Sequence, residues 1–210
     1  MGIEEMTEGK ALTSMLDRTA WIGSEVFSPP VLVAAMLASL AVVTDPRWAL
    51  TTVISVFAFA VVPQGVAIAM TLRGRASDKF IIHRHQRHLF YGIVMASTLL
   101  GAAATALVTE STWVRWTCVI AVGLVMMVAA INLVFKISLH ALISALSAVV
   151  IASAFSWWVL LVSIPVWALV IWSRVYLRRH SAGEVAAGSA LGFAAAAVLL
   201  AAAGIPMRIT

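Results

Sequence analysis

The chain has 210 residues, of which 62% are hydrophobic and only 11% are charged, and its mean hydropathy is +1.03. Soluble domains are nearer half apolar and a quarter charged, so this composition excludes an ordinary soluble protein. The formal net charge of +5 does not indicate a nucleic-acid partner, because the basic residues cluster in loops between apolar runs. The sequence therefore predicts an all-α, polytopic integral membrane helical bundle of about six or seven transmembrane helices.

The first 28 residues are more polar than the rest of the chain. Within residues 12–22 apolar side chains recur at helical spacing, which predicts an amphipathic helix inside a polar N-terminal lead. The charges of this stretch argue against a secretory signal peptide. Residues 29–210 are predicted to form a single transmembrane domain, because spanning helices take up nearly all of that length.

Seven apolar runs follow the lead, each close to the length that a bilayer requires. Pro63, Gln64 and Gly65 interrupt the second run, which predicts a kink that packs against neighbouring helices or lines a cavity. Asn132 in the fourth run predicts an interhelical hydrogen bond, and the single cysteine, Cys118, a small packing residue. The runs cover residues 30–43, 48–72, 89–108, 113–135, 140–155, 157–172 and 185–205.

Three polar stretches lie between these runs, at residues 73–88, 136–140 and 173–184. Two spans separate each stretch from the next, and an even number of crossings returns the chain to the same side of the membrane. All three stretches are therefore predicted to face one side, where they can converge. The turns on the other side carry few charges, so the positive-inside rule places the polar side in the cytoplasm for a multi-pass protein of the plasma (cell inner) membrane.

The three stretches together form a cation-rich group with two histidines and one carboxylate. Several cations, a hydroxyl and a helix N-terminus suit a phosphoryl group, whose oxygens need several donors at once. Two histidines favour two-step phosphoryl transfer, in which one attacks phosphorus and the other protonates the leaving alcohol. The candidate residues are Lys79, Arg84, Arg87, Lys136, Ser138, His140, Arg174, His180 and Glu184.

A metal site is the alternative for the histidines of the first stretch. His85 and His88 are three residues apart, a spacing that a helix can use for metal ligands, and His83 is close by. Arg84 and Arg87 lie among them and would repel a cation. Neither a metal nor another cofactor is therefore expected.

The order and spacing of these residues resemble a known family of lipid phosphatases. Ser173-Arg174, then five residues to His180 and three more to Glu184, looks like the third signature of the type 2 phosphatidic acid phosphatase family (S-R-x5-H-x3-D). Ser138-Leu139-His140 resembles the second signature, P-S-G-H. The loop from Lys79 to Arg87 is similar to the first, K-x6-R-P, with one additional residue between the two cations. Glu184 stands where the family has Asp, and Ile137 and Leu139 replace its Pro and Gly.

The resemblance implies a role for each matched residue. His180 would be the nucleophile that forms a phosphohistidine, Glu184 would orient it, and His140 would protonate the leaving group. The family chemistry needs no metal. The family usually acts on the outer face of the membrane, whereas the distribution of positive charge predicts the inner face. The phosphate would be held by Arg174, Ser138, Lys79 and Arg87, with Ser173 of the same signature and with Arg84 or Lys136 as substitutes for a drifted first signature.

Three functions are compatible with the sequence. The first is a metal-independent lipid phosphate phosphatase that acts on a polyprenyl phosphate or diphosphate, or on a phosphatidyl phosphate. The second is a lipid phosphotransferase of the same fold, which passes the phosphate to an alcohol. The third is a non-enzymatic transporter or lipid-binding protein whose basic loops bind anionic headgroups. The expected partners are the bilayer and a membrane lipid substrate, and a homo-oligomer is compatible with the sequence.

Overall fold

The computed structural model describes residues 14–74 and 87–204, and within these ranges the chain forms helices and turns without any strand. The predicted all-α bundle is confirmed. The helices are α1 (Met15–Val26), α2 (Pro29–Thr44), α3 (Trp48–Leu72), α4 (Arg87–Val108), α5 (Thr112–Ile131), α6 (Leu139–Phe155), α7 (Leu160–Tyr176) and α8 (Ala182–Ala202).

Five of these helices are long and apolar enough to cross a membrane within the described ranges, namely α3, α4, α5, α7 with its preceding turn, and α8. Helices α1 and α2 pass the same test together but are bent by 48° relative to each other. Helix α6 has 17 residues, which gives it a length of about 26 Å. The predicted fourth span was too long, because α5 ends at Ile131 and the chain then turns through residues 132–138.

Serine side chains begin several of the helices. Ser14, Ser111, Ser138 and Ser181 each accept a hydrogen bond from a backbone N–H of the first turn, which satisfies one of the donors that a helix start leaves open. At Ser14 and Ser181 an acidic residue three positions later completes a capping box. These caps place the polar turns of the chain at the ends of the apolar helices.

Helix α6 lies at the centre of the bundle and packs against α2, α7 and α8. Its buried face is rich in small residues such as Ser144, Ala145 and Ala148, which allow neighbouring backbones to approach closely. Gly188 and Gly192 of α8 face this helix. A Cβ atom at Gly192 would overlap the carbonyl oxygen of Leu142, so the distance between the two helices requires glycine at that position.

The proline of the second span is accommodated by a change of helix type. Residues Phe57–Val61 form a π-helical segment just before Pro63, and the helix then continues to Leu72. The carbonyl oxygen of Ala58 accepts a hydrogen bond of 2.8 Å from the hydroxyl of Ser97 in α4. The predicted kink is therefore a π-helical segment, and such segments are frequent at functional sites.

A polar network closes the end of the bundle where α2 meets α3 and α4 meets α5. Thr51 and Thr109 both donate to one carboxylate oxygen of Asp45, and the backbone N–H of Arg47 donates to the other at 2.8 Å. Burial alone would raise the pKa of Asp45, but these hydrogen bonds outweigh it and lower the pKa below its ordinary value. The few polar residues predicted for this side thus hold two turns together.

Helix α1 lies within the predicted polar lead and spans Met15–Val26, so it ends four residues beyond the predicted range of 12–22, of which residues 12 and 13 lie outside the described part. It packs against α7 through Gly23, where a Cβ would come within 3.0 Å of Leu169. The hydroxyl of Tyr176 donates to Asp17 at 3.1 Å. The face of α1 that points away from α7 exposes apolar side chains, including Met15 and Ile22.

Replacement of Gly192 by alanine should lower the free energy of unfolding by about 1–3 kcal/mol, because the new methyl group overlaps the α6 backbone. Gly123→Ala in α5 is the matched control, since nothing lies within 4 Å of its Cβ position. That variant should be as stable as the parent or slightly more stable, because alanine is the better helix former. Thermal unfolding in detergent measures both, and equal losses in the two variants would contradict the close α6–α8 contact.

Candidate functional site

A cavity of about 620 Å³ opens among α2, α3, α4, α5 and α6 and extends to the turn between α7 and α8. One end of the cavity is cationic and carries His140 and His180. The rest is apolar and runs into the bundle between residues such as Leu37, Phe59 and Leu146. At the polar end the lining residues are Lys136, His140, Arg174, Arg178, Arg179 and His180.

Arg174 lies in the last turn of α7 and is only 3% exposed. One terminal nitrogen of its guanidinium donates to the hydroxyl of Ser24 in α1 at 2.9 Å. Ser24 is completely buried. Its hydroxyl therefore fixes the orientation of a cation at the cavity wall, and α1 becomes part of the site.

The turn that follows α7 is held by backbone hydrogen bonds to Arg174. Arg178 adopts a left-handed conformation with φ of 52°, as is common just beyond a helix C-terminus. The backbone N–H groups of Arg179 and His180 both donate to the carbonyl oxygen of Arg174, at 3.1 and 3.2 Å. The ammonium group of Lys136 donates to the carbonyl oxygen of Arg179 at 3.0 Å. This turn brings His180 back beside Arg174 and Lys136.

His180 and Glu184 form a hydrogen-bonded pair at the start of α8. Nδ1 of His180 lies 2.7 Å from a carboxylate oxygen of Glu184, and the same oxygen accepts a hydrogen bond from the backbone N–H of Ser181. An imidazole that donates Nδ1–H to a carboxylate has its free electron pair on Nε2. The pair therefore holds the imidazole in the tautomer and orientation in which Nε2 is the reactive atom.

The surroundings of His180 keep its imidazole neutral. Burial lowers its pKa first, the nearby Arg174 and Lys136 lower it further, and Glu184 offsets only part of this effect, so that the pKa is about 4 against an ordinary value of 6.5. Protonation would place another positive charge in a buried, cation-rich pocket. At neutral pH the Nε2 electron pair is therefore available for attack on an electrophile.

His140 follows the N-terminal cap of α6 and is 4% exposed. It forms a hydrogen bond with the backbone of Ser24 and interacts electrostatically with His180 and Arg174. Ser24 thus contacts both Arg174 and His140, one through its side chain and the other through its main chain. The two histidines line the same end of the cavity, His140 from the first turn of α6 and His180 from the turn before α8.

The structure brings two of the three predicted polar stretches together. The backbone N–H of Ser138 donates to the carbonyl oxygen of Glu184 at 3.3 Å, which joins the starts of α6 and α8. Ser138 itself caps α6, and the hydroxyl of Ser173 donates to the carbonyl oxygen of Leu169, so neither serine lines the cavity. Glu184 also lies off the cavity wall and reaches it through His180.

Most of the first predicted stretch lies outside the described residues. Lys79, Arg84, His83 and His85 belong to this part of the chain. Arg87 begins α4 and is followed by His88, but the described part does not include their side chains. The proposed phosphate ligands of this loop therefore stay predictions.

Three residues of the site were not predicted from the sequence. Arg178 and Arg179 stand among the five residues between Arg174 and His180, where the motif specifies no residue type. Arg179 also lies 4.0 Å from a carboxylate oxygen of Glu25 in α1. Ser24 belongs to the polar lead, and nothing in its local sequence connects it with His140 or Arg174, which lie 116 and 150 positions later. In contrast, the predicted interhelical hydrogen bond of Asn132 is confirmed, with Tyr91 of α4 as its partner at 3.0 Å.

Histidine titration by NMR in micelles should show His180 with a midpoint near pH 4, well below 6.5, because burial and the adjacent cations disfavour the imidazolium. A His180→Asn variant identifies the resonance. Glu184→Gln should move the midpoint lower still, because it removes the interaction that favours the charged ring. A midpoint near 6.5, or an upward shift in Glu184→Gln, would contradict this electrostatic arrangement.

No protein-family model matches the chain, and neither the curated proteins nor the solved structures give a match.

Proposed function

We propose that this protein is a metal-independent lipid phosphate phosphatase that acts through a phosphohistidine at His180. The observation that carries the proposal is that one cavity of about 620 Å³ joins a cationic end with two histidines to an apolar interior. A phosphorylated lipid has the same division into an anionic head and an apolar tail. Its substrates would be a polyprenyl phosphate or diphosphate, or a phosphatidyl phosphate.

The cationic end supplies the donors that a phosphoryl group needs. Arg174 presents a planar guanidinium, which can bind two oxygens of one phosphate at once. Lys136 and Arg179 add positive charge at the same wall. As negative charge spreads over the oxygens of the transferring group, these fixed cations stabilise it in a site that the apolar lining keeps poor in water.

In the first step, Nε2 of His180 attacks phosphorus. A phosphorus–nitrogen bond forms while the bond from phosphorus to the lipid oxygen breaks. The negative charge of the bound phosphate favours the protonated imidazole of His140, which gives its proton to the departing oxygen. Glu184 accepts the hydrogen bond from Nδ1 and stabilises the positive charge that develops on the His180 ring.

In the second step, water takes the place of the alcohol. His140, now neutral, accepts a proton from the water while its oxygen attacks phosphorus. The phosphorus–nitrogen bond breaks, inorganic phosphate leaves, and both histidines return to their starting states. His140 thus acts as the general acid in the first step and as the general base in the second, while His180 carries the phosphoryl group between them.

The distribution of charge supports an orientation for the bundle. Lys136, Arg174, Arg178 and Arg179 lie at the site end, and these four positive charges outnumber the two of Arg47 and Arg115 at the Asp45 end. By the positive-inside rule we place the site at the cytoplasmic face of the plasma membrane. The specific membrane is part of the proposal and is tested by localisation of a tagged protein.

Purified protein should release inorganic phosphate from at least one of phosphatidic acid, phosphatidylglycerol phosphate, a polyprenyl phosphate and a polyprenyl diphosphate, in detergent with EDTA present. His180→Ala should abolish release, because the nucleophile is lost. Arg174→Ala should lower turnover about 10²–10³-fold through loss of charge stabilisation. Glu184→Gln should be milder, because it disturbs only orientation and charge.

Arg47→Ala is the control for the arginine variant, since Arg47 is exposed and pairs with Glu110 in the turns at the other end of the bundle. It should keep the activity of the parent. Equal activity in His180→Ala and the parent would refute the mechanism. Absence of release from every lipid would refute hydrolysis, and stimulation by an added alcohol would then identify a phosphotransferase.

Ser24→Ala tests whether α1 positions the phosphate ligand. Loss of the hydroxyl that orients Arg174 should lower kcat/KM by about tenfold, an amount typical for one hydrogen bond to a charged group. Thr19→Ala removes an exposed hydroxyl from the same helix and should leave kcat/KM unchanged. Thermal unfolding measured in parallel separates the two explanations, and a loss of activity that merely follows a loss of stability would contradict the positioning role.

A further inference from the structure

The apolar part of the cavity follows one face of α5. Its lining residues recur at helical spacing along that helix, from the polar end at Asn132 through Val125 and Ala121 to Cys118. Fourteen residues separate Asn132 from Cys118, which corresponds to a depth of about 21 Å at the rise of an α-helix. The wall of α5 therefore extends far below the cationic end.

Helix α8 gives an independent measure of the same depth. Leu199 lines the cavity and is only 1% exposed. It lies fifteen residues beyond Glu184, whose backbone contacts Ser138 at the polar end, so its depth is about 22 Å. Cys118 and Leu199 thus mark the floor of the cavity from two different helices.

The volume of the cavity is sufficient for the hydrocarbon of a lipid. A cavity needs roughly 10–15 Å³ of this volume for each water-sized group that it holds. The cavity of about 620 Å³ therefore has space for about 40–60 such groups, headgroup included. This is enough for a hydrocarbon chain that extends along α5 to the floor.

We propose that this cavity binds the hydrocarbon chain of a phosphorylated lipid, and that the α5 residues Val125, Ala121 and Cys118 set the chain length it accepts. The inference deepens the proposed function and rests on it for the anionic headgroup. The preferred substrate is a lipid phosphate whose chain fits within the depth of about 21 Å, such as a short prenyl phosphate. Chains longer than the cavity must leave part of their length outside it.

The test uses n-alkyl phosphonates of increasing length, which cannot be hydrolysed, with the full-length protein in nanodiscs. Each methylene that enters the cavity should raise the affinity about fourfold, until the chain reaches the floor and the gain stops. Native mass spectrometry counts bound ligand, and the thermal shift reports affinity.

Two variants should move the length at which the gain stops. Phenylalanine at Ala121 closes the cavity above the floor, and phenylalanine at Val125 closes it one turn nearer the polar end. The limiting chain should therefore be shorter in Ala121→Phe than in the parent and shorter again in Val125→Phe. Ala130→Phe and Val119→Phe place the same side chain on the exposed side of α5 and should leave the limit unchanged.

The outcomes separate this inference from the proposed function. A limit that is equal in all five proteins would overturn the inference. Alkyl alcohols that bind as tightly as phosphonates, with the expected limits, would support the chain site and count against the anionic headgroup. If either cavity variant does not fold, the other still tests the order of the limits, and phosphate release from farnesyl and geranylgeranyl phosphate provides a second measurement of chain length.

Discussion

The close contact between α6 and α8 determines the geometry of the polar end. Gly188 and Gly192 let the two helices approach until the backbone of Ser138 bonds to that of Glu184. Glu184 in turn holds His180, and the start of α6 carries His140. A wider separation of these helices would move the two histidines apart, so the glycines of an apolar span control a polar site.

The site end of the bundle is both buried and positively charged. Buried cations need polar contacts, because an isolated charge is costly away from water. Arg174 has a contact with Ser24, and Lys136 donates to a backbone carbonyl in the turn after α7. These cations and the burial keep His180 neutral, which is the state a nucleophile requires. An anionic ligand would offset the positive charge of the cations that line the cavity.

The two ends of the bundle use polar residues for different purposes. At the far end Asp45 is surrounded by its own donors, Thr51 and Thr109, and this local network holds turns together. At the site end the polar groups line a cavity of about 620 Å³ and face space that a ligand can fill. Helix α1 contacts the site through Ser24 on its inner face, and its outer face exposes apolar side chains.

The sequence by itself determined the class of the protein and most of its helices, because long apolar runs can satisfy their backbone groups in a membrane only as helices. It also predicted that the stretches around His140 and His180 lie on one side, since an even number of spans separates them. The predicted pairing of His180 with Glu184, four residues later, depends only on this short stretch of chain.

Only the tertiary structure decided which residues share the cavity and how deep it is. Ser24 and Arg174 are 150 residues apart, and no periodicity or spacing relates them. The same holds for the floor, where Cys118 and Leu199 lie on different helices. Contacts of this kind depend on how closely the helices pack, and that is set by side-chain volumes on both partners and not by the pattern within either one.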